Sequence, residues 1–458
     1  MNQNGFEIPT EWAQKQFGGC QLGDSRRTQC LITIAAAMLE APRASIPQQM
    51  KSWGATKAAY RLLSDEAIQY EDVIEPHWKQ TRQAARSQSV VLMVQDLTSV
   101  NYSAYPSIQG LGPIGDNKGQ GLHMSSVLAI LPATRQILGM AYQLPFIRQM
   151  HDQHETRTQR AKRSKESDVW MKAVRAIGPC PSEVCWVHVG DRGADISTFF
   201  DACRQQNCAF LVRVNQNRRM YTPTGEPTHL KTFAAQQPSV SEQILDLPAE
   251  HGLPARQVNL HLSFSPLKLL PGWMNRKQPT LSVWIVRVWE VNPPDWVEEP
   301  IEWILLTSVP TESVDQAWER VAWYRCRWLV EDFHQCLKTG CQIEHRGLKE
   351  PTSLLRLLAI LTPLAVELLQ MRQLTRLEPD SPAAKRLPAD LVKVVASLTK
   401  HSATDMTMSD FWRSVAQLGG YLGRKHDGLP GWKSLWAGWL YVQNLLKGFR
   451  LASGSGWP

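Results

Sequence analysis

The chain has 458 residues, of which 43% are hydrophobic, so it is long enough for two or three domains and apolar enough to bury a core. This composition excludes a disordered chain, and no uninterrupted apolar run reaches the roughly 18–20 residues of a membrane span. The start, MNQNGFEIPTEWAQKQF, has no apolar run after a basic segment, so we expect no secretory signal. These features predict a soluble cytoplasmic protein without a membrane partner.

The charge balance is mildly basic, with 50 Lys and Arg against 42 Asp and Glu, a net charge of +8 and a pI near 9.0. Two clusters, RTQRAKRSK (157–165) and NQNRRM (215–220), are either phosphate-neutralising patches or solvated loops. MHDQH (150–154) is either a metal-binding group or, as we favour, an exposed loop. The nine cysteines include no Cys-x-x-Cys pair, so we expect reduced thiols.

Helical patterns dominate residues 9–80, where RRTQCLITIAAAMLEA and SWGATKAAYRLLSD are amphipathic with basic polar sides. From residue 89 the pattern changes to strands. SVVLMVQD, EVCWVHVGD and AFLVRVN are apolar runs typical of buried strands, and SSVLAILPATRQILGMAYQLPF predicts a hairpin. With the helix DVWMKAVRAIG between them, this order predicts an α/β fold with a sheet of mixed direction.

A β-rich stretch covers about residues 215–310 and is interpreted as an insertion before a long helix at about 311–338. Residues 352–458 are mostly helical, with a proline-rich loop around 379–388. We therefore predict a helical N-terminal domain at 1–75, an α/β domain at 76–370 that contains the insertion, and a helical domain at 371–458.

Two aspartates stand at the ends of predicted strands: Asp96 after VVLMVQ and Asp191 after CWVHVG. In open α/β sheets ligands bind beyond strand ends, so two such carboxylates on adjacent strands are candidates to share hard metal ions. For either aspartate taken alone, ordinary turn chemistry is the favoured explanation.

The predicted long helix carries a polar row beside an apolar one. Tyr324, Glu331 and Lys338 recur every seven residues, and Arg327 lies four residues before Glu331, so a regular helix places all four on one face. The apolar stripe beside them is Trp323, Cys326, Val330, Phe333 and Leu337. From the helix alone, the row is either a functional site or a set of surface salt bridges.

Asp96, Asp191 and Glu331 together would form an all-oxygen site suited to Mg²⁺ or Mn²⁺. Two such ions activate an attacking oxygen and stabilise the leaving oxygen of a phosphodiester. Arg327 and Lys338 would then bind phosphates, with Tyr324 donating a hydrogen bond. This set indicates phosphoryl transfer on a nucleic acid.

Five segments carry a resemblance to a known family. EWAQKQF followed by LGDSRRTQ, QDLTS, GDRGADI, and the spacing Y-x2-R-x3-E-x6-K at 324–338 resemble the motifs of bacterial cut-and-paste DDE transposases of the insertion-sequence-four family. GLPGWKSLWAGWLYVQ is similar to the family's C-terminal dimerisation region, so the likeness covers nearly the whole chain.

The resemblance implies an RNase H-like catalytic domain with a β-rich insertion, and two Mg²⁺ ions, replaceable by Mn²⁺, held by Asp96, Asp191 and Glu331. It implies nicking at transposon ends, hairpin formation and opening, and strand transfer into target DNA by a homodimer. Carried over by position, the DNA-binding residues are Tyr324, Arg327, Lys338, Arg213, Trp303, Arg26, Arg27, Tyr60 and Arg61. Trp303 would bind a flipped base, because a base that leaves the helix needs an aromatic side chain to stack on. Without the resemblance, we would interpret Trp303 as a strand tryptophan in a core.

Two positions depart from the family pattern: Gly193 stands where an acidic residue is usual, and residues 118–126, read as a loop, lack an aromatic pair. Two other functions remain open at this point. One is a catalytically silent DNA-binding regulator of the same fold, against which the retained carboxylates argue. The other is a metal-dependent nuclease without strand transfer.

Overall fold

A computed structural model describes residues 9–149, 156, 165–247, 254–271, 279–424, 427 and 430–453. The cluster at 150–154 and most of the basic run at 157–165 lie outside these residues. The N-terminal helices are α1 (Pro9–Phe17), α2 (Ser25–Glu40), α3 (Ile46–Met50), α4 (Trp53–Leu63) and α5 (Tyr70–Arg86). Side chains fix two of the starts, because Asp24 accepts from the Arg26 amide and Ser52 accepts from the Ala55 amide.

The central sheet begins with six strands. Its elements are β1 (Val90–Asn101), β2 (Gly112–Ile114), β3 (Gly119–Ile130), β4 (Ile137–Phe146), β5 (Cys185–Gly190) and β6 (Ala209–Arg213), with α6 (Asp168–Ile177) and α7 (Ser197–Gln205) in the crossovers. The order is β4-β3-β1-β5-β6; β3 is antiparallel to its neighbours, whereas β1, β5 and β6 are parallel. This is the arrangement of an RNase H-like sheet, so the predicted fold class is confirmed.

The β-rich stretch extends the same sheet. It contains β7 (Arg219–Tyr221), β8 (Pro227–His229), α8 (Leu230–Gln236), β9 (Ser241–Leu247), β10 (Arg256–Leu269), β11 (Leu281–Glu290) and β12 (Glu302–Thr307). The strand β12 pairs antiparallel with β6, and β11 and β10 follow it outward. The insertion is therefore joined to the central sheet through a continuous hydrogen-bond ladder.

Alternating side chains of β1 pack into two separate hydrophobic cores, one on each face of the sheet. Leu92 and Val94 belong to a large core shared with the N- and C-terminal helices, while Val91 and Met93 belong to a smaller one under α6 and α7. This alternation follows from the two-residue period of a strand buried on both faces. All nine cysteines are free thiols.

The predicted continuous helix at 311–338 is wrong, because the structure has three pieces instead. They are α9 (Val314–Arg325), α10 (Trp328–Gln335) and a π-turn (Cys336–Gly340). Around Cys326 and Arg327 the amides bond to carbonyls three residues back, with Arg327 N to Tyr324 O at 3.0 Å, and this tightening breaks the helix. The apolar stripe survives the break, since Trp323, Cys326, Val330, Phe333 and Leu337 are all buried.

The C-terminal part is helical, with α11 (Pro351–Leu377), α12 (Ala389–Thr399), α13 (Met408–Leu418) and α14 (Trp432–Ala452). One helical segment, Pro351–Gln373, is long and apolar enough to cross a membrane by length and composition, although 83% of its most apolar window is buried in the fold. Arg356 and Glu367 interrupt its apolar residues, so its unbroken apolar run is shorter than a membrane span although its mean hydropathy is high. Its burial is that of a core helix.

The helix α14 packs against the π-turn. Trp432 and Trp436 are buried and their rings stack with centroids 5.7 Å apart. A Cβ added at Gly340 would lie 2.5 Å from Trp436 Nε1, so only glycine allows this approach. Tyr441, Phe449 and Leu451 remain exposed on the same helix.

Candidate active site

Asp96 and Asp191 are brought to the same face of the sheet by strand register. The last pair between β1 and β5 is Val94 with Val189, and each aspartate follows its valine by two residues. An interval of two residues keeps a side chain on one face of a strand. Asp96 is not at the end of a strand as predicted, because β1 continues beside β3 with Asp96 opposite Ser126. It lies instead where β1 and β5 separate.

Glu331 faces the same region from α10. Its carboxylate accepts a hydrogen bond from Arg327 Nη1 at 2.6 Å, and the same nitrogen is 3.9 Å from Asp96 Oδ2. The Glu331 side chain is 45% exposed, whereas that of Arg327 is 13% exposed. Arg327 therefore places a positive charge between two of the predicted metal ligands.

Asp96 is a buried carboxyl within electrostatic range of Asp191 and Glu331. Burial raises the pKa of Asp96 to about 6, and the negative charges of Asp191 and Glu331 add to the rise, against the opposing effect of Arg327. Such repulsion is expected when carboxylates share a region without enough cations.

A cleft of about 300 Å³ opens beside these groups and is lined by Asp96, Leu97, Thr98, Glu331, His334, Gln335, Lys338 and Thr339. Lys338 Nζ donates to Thr98 Oγ1 at 2.9 Å and lies 3.9 Å from Glu344. Burial lowers the pKa of Lys338. The π-turn thus places a lysine in the lining of the cleft.

His334 was missed by the sequence analysis. Its Nδ1 lies 4.0 Å from Asp96 Oδ2, and burial, together with Lys338, lowers the pKa of the imidazole to about 3. Its Nε2 is buried without a protein partner in the described structure. A histidine three residues after Glu331 carried no sequence signal, because its position beside Asp96 depends on how α10 packs on β1.

An aromatic cluster borders the site on the insertion side. The ring of Trp303, on β12, is 5.5 Å from that of Tyr324 and 5.5 Å from that of Trp328. Trp303 is half-buried and Trp328 is 41% exposed, so the cluster has an open side. Tyr324 is only 3% exposed and supports Trp303 and Arg327 from beneath.

Arg213 lies at the end of β6, where its guanidinium donates to the Glu302 carbonyl at 2.9 Å. Burial lowers the pKa of Arg213, and neighbouring Arg192 and Arg327 contribute to this, while Tyr324 opposes it. Arg213 is thus within electrostatic range of the row that was predicted to bind DNA.

The four predicted N-terminal contacts lie apart from this cleft and differ from one another. Arg26 is 89% exposed and pairs with Asp24 at 2.7 Å. Arg27 instead donates to the Leu22 carbonyl and pairs with Asp65 at 2.8 Å, so its guanidinium is occupied within the N-terminal segment. Tyr60 and Arg61 are exposed on α4.

Two further residues extend the exposed face of α4. Trp53 is 76% exposed, with Lys57 Nζ 6.0 Å from the ring centroid, and Tyr60 follows on the same side. An aromatic and basic face of this kind suits contact with nucleic acid. The spacing of Trp53, Lys57 and Tyr60 was available in the sequence but was not used.

The departures from the family pattern have local structural effects. The Gly193 amide donates to Asp191 Oδ1 at 2.7 Å, and a Cβ there would lie 3.0 Å from that oxygen, so glycine leaves room for Asp191. Residues 119–126 form part of β3 and not a loop. In the cluster 215–220, Arg218 forms a buried pair with Asp195 at 2.8 Å and is not available to phosphates as folded.

The predicted close cluster of three carboxylates is not formed as it stands: within the part of the chain that the structure describes, no three His, Cys, Asp or Glu side chains are grouped to hold a metal ion. The physical reason is that Glu331 bonds to Arg327. The donor chemistry nevertheless fits Mg²⁺, because all three groups offer carboxylate oxygens.

Comparison with known proteins identifies two transposase segments in the chain. Residues 149–362 match the family model described as transposase DDE domain, and residues 9–68 match the one described as transposase DNA-binding. The chain therefore joins a transposase DNA-binding segment to a transposase DDE domain, and DNA is its partner. Asp191 and Glu331 fall inside the DDE match, while Asp96 precedes it.

Among solved structures, the chain is similar to a cryo-EM structure of a piggyBac transposase synaptic complex with hairpin DNA. The identity is 10%, the TM-score is 0.35, and the match covers 96% of this chain and 82% of that one.

Proposed function

We propose that the protein is an active DNA transposase that cleaves transposon ends by nicking, hairpin formation and hairpin opening, and then transfers the strand into target DNA. The observation that carries this proposal is the placement of Asp96 and Asp191 on one face, electrostatically coupled to Glu331, in a chain with transposase domains. We further propose membership of the insertion-sequence-four family, with similarity to the transposon-five transposase, and action in the bacterial cytoplasm.

In this proposal Asp96, Asp191 and Glu331 hold two Mg²⁺ ions, for which Mn²⁺ substitutes. The ions would supply activation of the attacking water or 3′-hydroxyl and stabilisation of the leaving oxygen. Arg327 bonds to Glu331 and lies near Asp96, so it is placed to exchange carboxylate contacts for a DNA phosphate. Lys338 binds a second phosphate from the π-turn.

The aromatic cluster would receive a base extruded from the transposon end. Trp303 has its ring near those of Tyr324 and Trp328 and is half-buried, which supports a stacking platform over a plain core position. Tyr324 is buried and positions Trp303 and Arg327, and Arg213 adds positive charge at the same edge. The exposed residues Arg26, Tyr60 and Arg61 bind end DNA, and two copies of the chain form the synaptic complex.

The test is a joining assay with the inverted repeats that flank the coding region. A supplied end with a free 3′-hydroxyl is incubated with the protein, Mg²⁺ and supercoiled plasmid, and joined products are counted. Joining is the expected result. Cleavage of uncut ends without joining would identify a nuclease, and specific end binding without either reaction would identify a silent regulator; both results contradict the proposal.

A further inference from the structure

Arg346 connects the N-terminal segment to the π-turn. Its guanidinium donates to three carbonyl oxygens, those of Pro42 at 2.6 Å, Cys341 at 3.2 Å, and Ala44. Pro42 and Ala44 lie between α2 and α3 in the transposase DNA-binding match, and Cys341 directly follows the π-turn that carries Lys338. One side chain therefore holds two regions that are about 300 positions apart in sequence.

Burying the Arg346 guanidinium costs free energy, and its three hydrogen bonds depend on the shape of an arginine side chain. Arg346 is 7% exposed, and burial lowers the pKa of its guanidinium. Its three acceptors are neutral carbonyls, so the buried charge gains hydrogen bonds but no opposite charge from them. The planar fork of arginine reaches all three acceptors at once, whereas a lysine offers one ammonium on a flexible stem. Stability alone would be served as well by an apolar residue.

The residues around Arg346 are fixed to the strand that carries Asp96. The Asn101 amide donates to Glu344 Oε1 at 2.9 Å, and Glu344 lies 3.9 Å from Lys338 Nζ. Tyr102 and Tyr105, which follow β1, donate to the carbonyls of Ile343 and His345 at 3.0 Å each. A shift of the segment 341–346 would therefore be felt by Lys338 and by the end of β1.

The same segment reaches the exposed DNA-binding face. Tyr60 on α4 shares a cleft of about 290 Å³ with Arg43, Gln48, His345 and Arg346. DNA that is held at Tyr60 thus lies beside the residues that Arg346 fixes.

We propose that Arg346 is a positioning residue that couples the seating of the N-terminal segment on DNA to the placement of Lys338 in the cleavage site. The inference rests on the proposed function, because it assigns a step between binding of the transposon end and its cleavage. Arg346 touches carbonyls of the chain and acts through the π-turn, not on the reacting phosphate.

The chain offers a matched control in Arg356 on α11. It is 3% exposed and also donates to carbonyls of the N-terminal segment, those of Leu63 at 2.9 Å and Ile68 at 2.5 Å. It makes the same kind of contact away from the π-turn. Arg346→Lys and Arg356→Lys both keep a positive charge and lose the fork, so they separate coupling from attachment of the N-terminal segment.

The first measurement is single-turnover cleavage at saturating end DNA with Mg²⁺, at a temperature below both melting points. We expect Arg346→Lys to slow cleavage about tenfold or more with little change in the dissociation constant, and Arg356→Lys to lower the melting temperature while cleavage stays within about twofold of the parent. Wild-type cleavage rates in Arg346→Lys, or losses in both variants that follow their melting temperatures, would overturn the proposal.

The second measurement is amide hydrogen exchange with and without end DNA, which does not depend on activity. In the parent, DNA should slow exchange over residues 336–346 as well as in α4; in Arg346→Lys only the protection of α4 should remain. Protection of 336–346 that persists in the variant contradicts coupling, even if the parent fails to cleave and the proposed function falls. Should the lysine variant not fold, Arg346→Gln, which removes the buried charge, takes its place in both measurements.

Discussion

Arginine and lysine occur both on the α2–α4 surface, as Arg26 and Lys57, and in or beside the cleft near Asp96, as Arg327 and Lys338. The two pairs differ in how far they are exposed to solvent. Arg26 is 89% exposed, and Lys57 stands beside the exposed ring of Trp53. Arg327, at 13% exposure, is fixed by Glu331, and Lys338, at 30% exposure, is fixed by Thr98. The first region presents solvated charge, and the second presents charge in a defined geometry.

The difference indicates separate tasks. Exposed cations attract DNA at long range and lose this effect as salt screens them, so they contribute mainly to affinity. Desolvated cations act over short distances on groups whose positions are fixed, so they contribute mainly to the reaction. Variants in the two regions should therefore fail in different assays.

The largest expected effect is at the carboxylates. Asp96→Ala, Asp191→Ala and Glu331→Ala should each reduce end cleavage by about a thousandfold or more, because each removes a proposed metal ligand, while end binding by the α2–α4 surface is retained. Cleavage is measured on labelled ends with Mg²⁺, and binding by gel shift. Specific cleavage by any one of the three variants would remove that residue from the site.

The next effect separates the aromatic cluster from the carboxylates. Trp303→Ala should slow hairpin formation about tenfold or more and leave the first nick nearly unchanged, because base extrusion is needed only for the hairpin. Trp296→Ala is the control, since this tryptophan is 45% exposed in the same insertion but lies over Arg256. Equal losses at both steps would reject the base-binding role.

A stability effect tests the junction between the N-terminal segment and the sheet. His77 Nδ1 donates to Gln16 Oε1 at 2.8 Å and Nε2 accepts from the Met140 amide at 3.0 Å, so the neutral ring is fully bonded, and burial lowers its pKa from 6.5 to about 4. The unfolded chain gains a proton below pH 6.5 that the folded chain does not take up until about pH 4. The stability that the neutral His77 ring contributes to the fold is therefore complete above pH 6.5 and is lost as the pH falls to 4.

Denaturant unfolding of the parent and of His77→Gln at pH 7 and pH 5 measures that contribution. From pH 7 to pH 5 the parent should lose about 2 kcal/mol more of its free energy of unfolding than the variant does. Parallel losses in the two proteins would show that His77 titrates normally in the fold.

The smallest effect sharpens the comparison within the N-terminal surface. Arg61→Ala should make the negative slope of log affinity against log salt concentration less steep by about 0.9, as expected for the loss of one phosphate contact. Arg27→Ala should leave the slope unchanged and lower the melting temperature, because Arg27 pairs with Asp65. A reduced slope in Arg27→Ala would show that this pair opens on DNA.

The sheet could be predicted because its strands are short apolar runs whose pattern is local. The break at Cys326–Arg327 could not, since it arises from how α9 and α10 pack on different strands, and the sequence keeps a regular period through it. Asp96 was predicted at the end of a strand, but β1 continues beside β3 after its pairing with β5 ends. Asp96 lies where that pairing stops. His334 and Arg346 gain their meaning only from residues far away in sequence.

Backbone hydrogen bonds link β5, β6 and β12 in one continuous ladder, so the register of these strands fixes the position of the insertion. Trp303 is separated from the strand before Asp191 by two interstrand spacings of about 4.8 Å each, fixed by the pairs Val189 with Leu211 and Arg213 with Leu305. Anyone grafting a different insertion onto this scaffold must keep β12 and its register. A slip of two residues would carry the tryptophan about 6.6 Å along the strand and away from the rings of Tyr324 and Trp328.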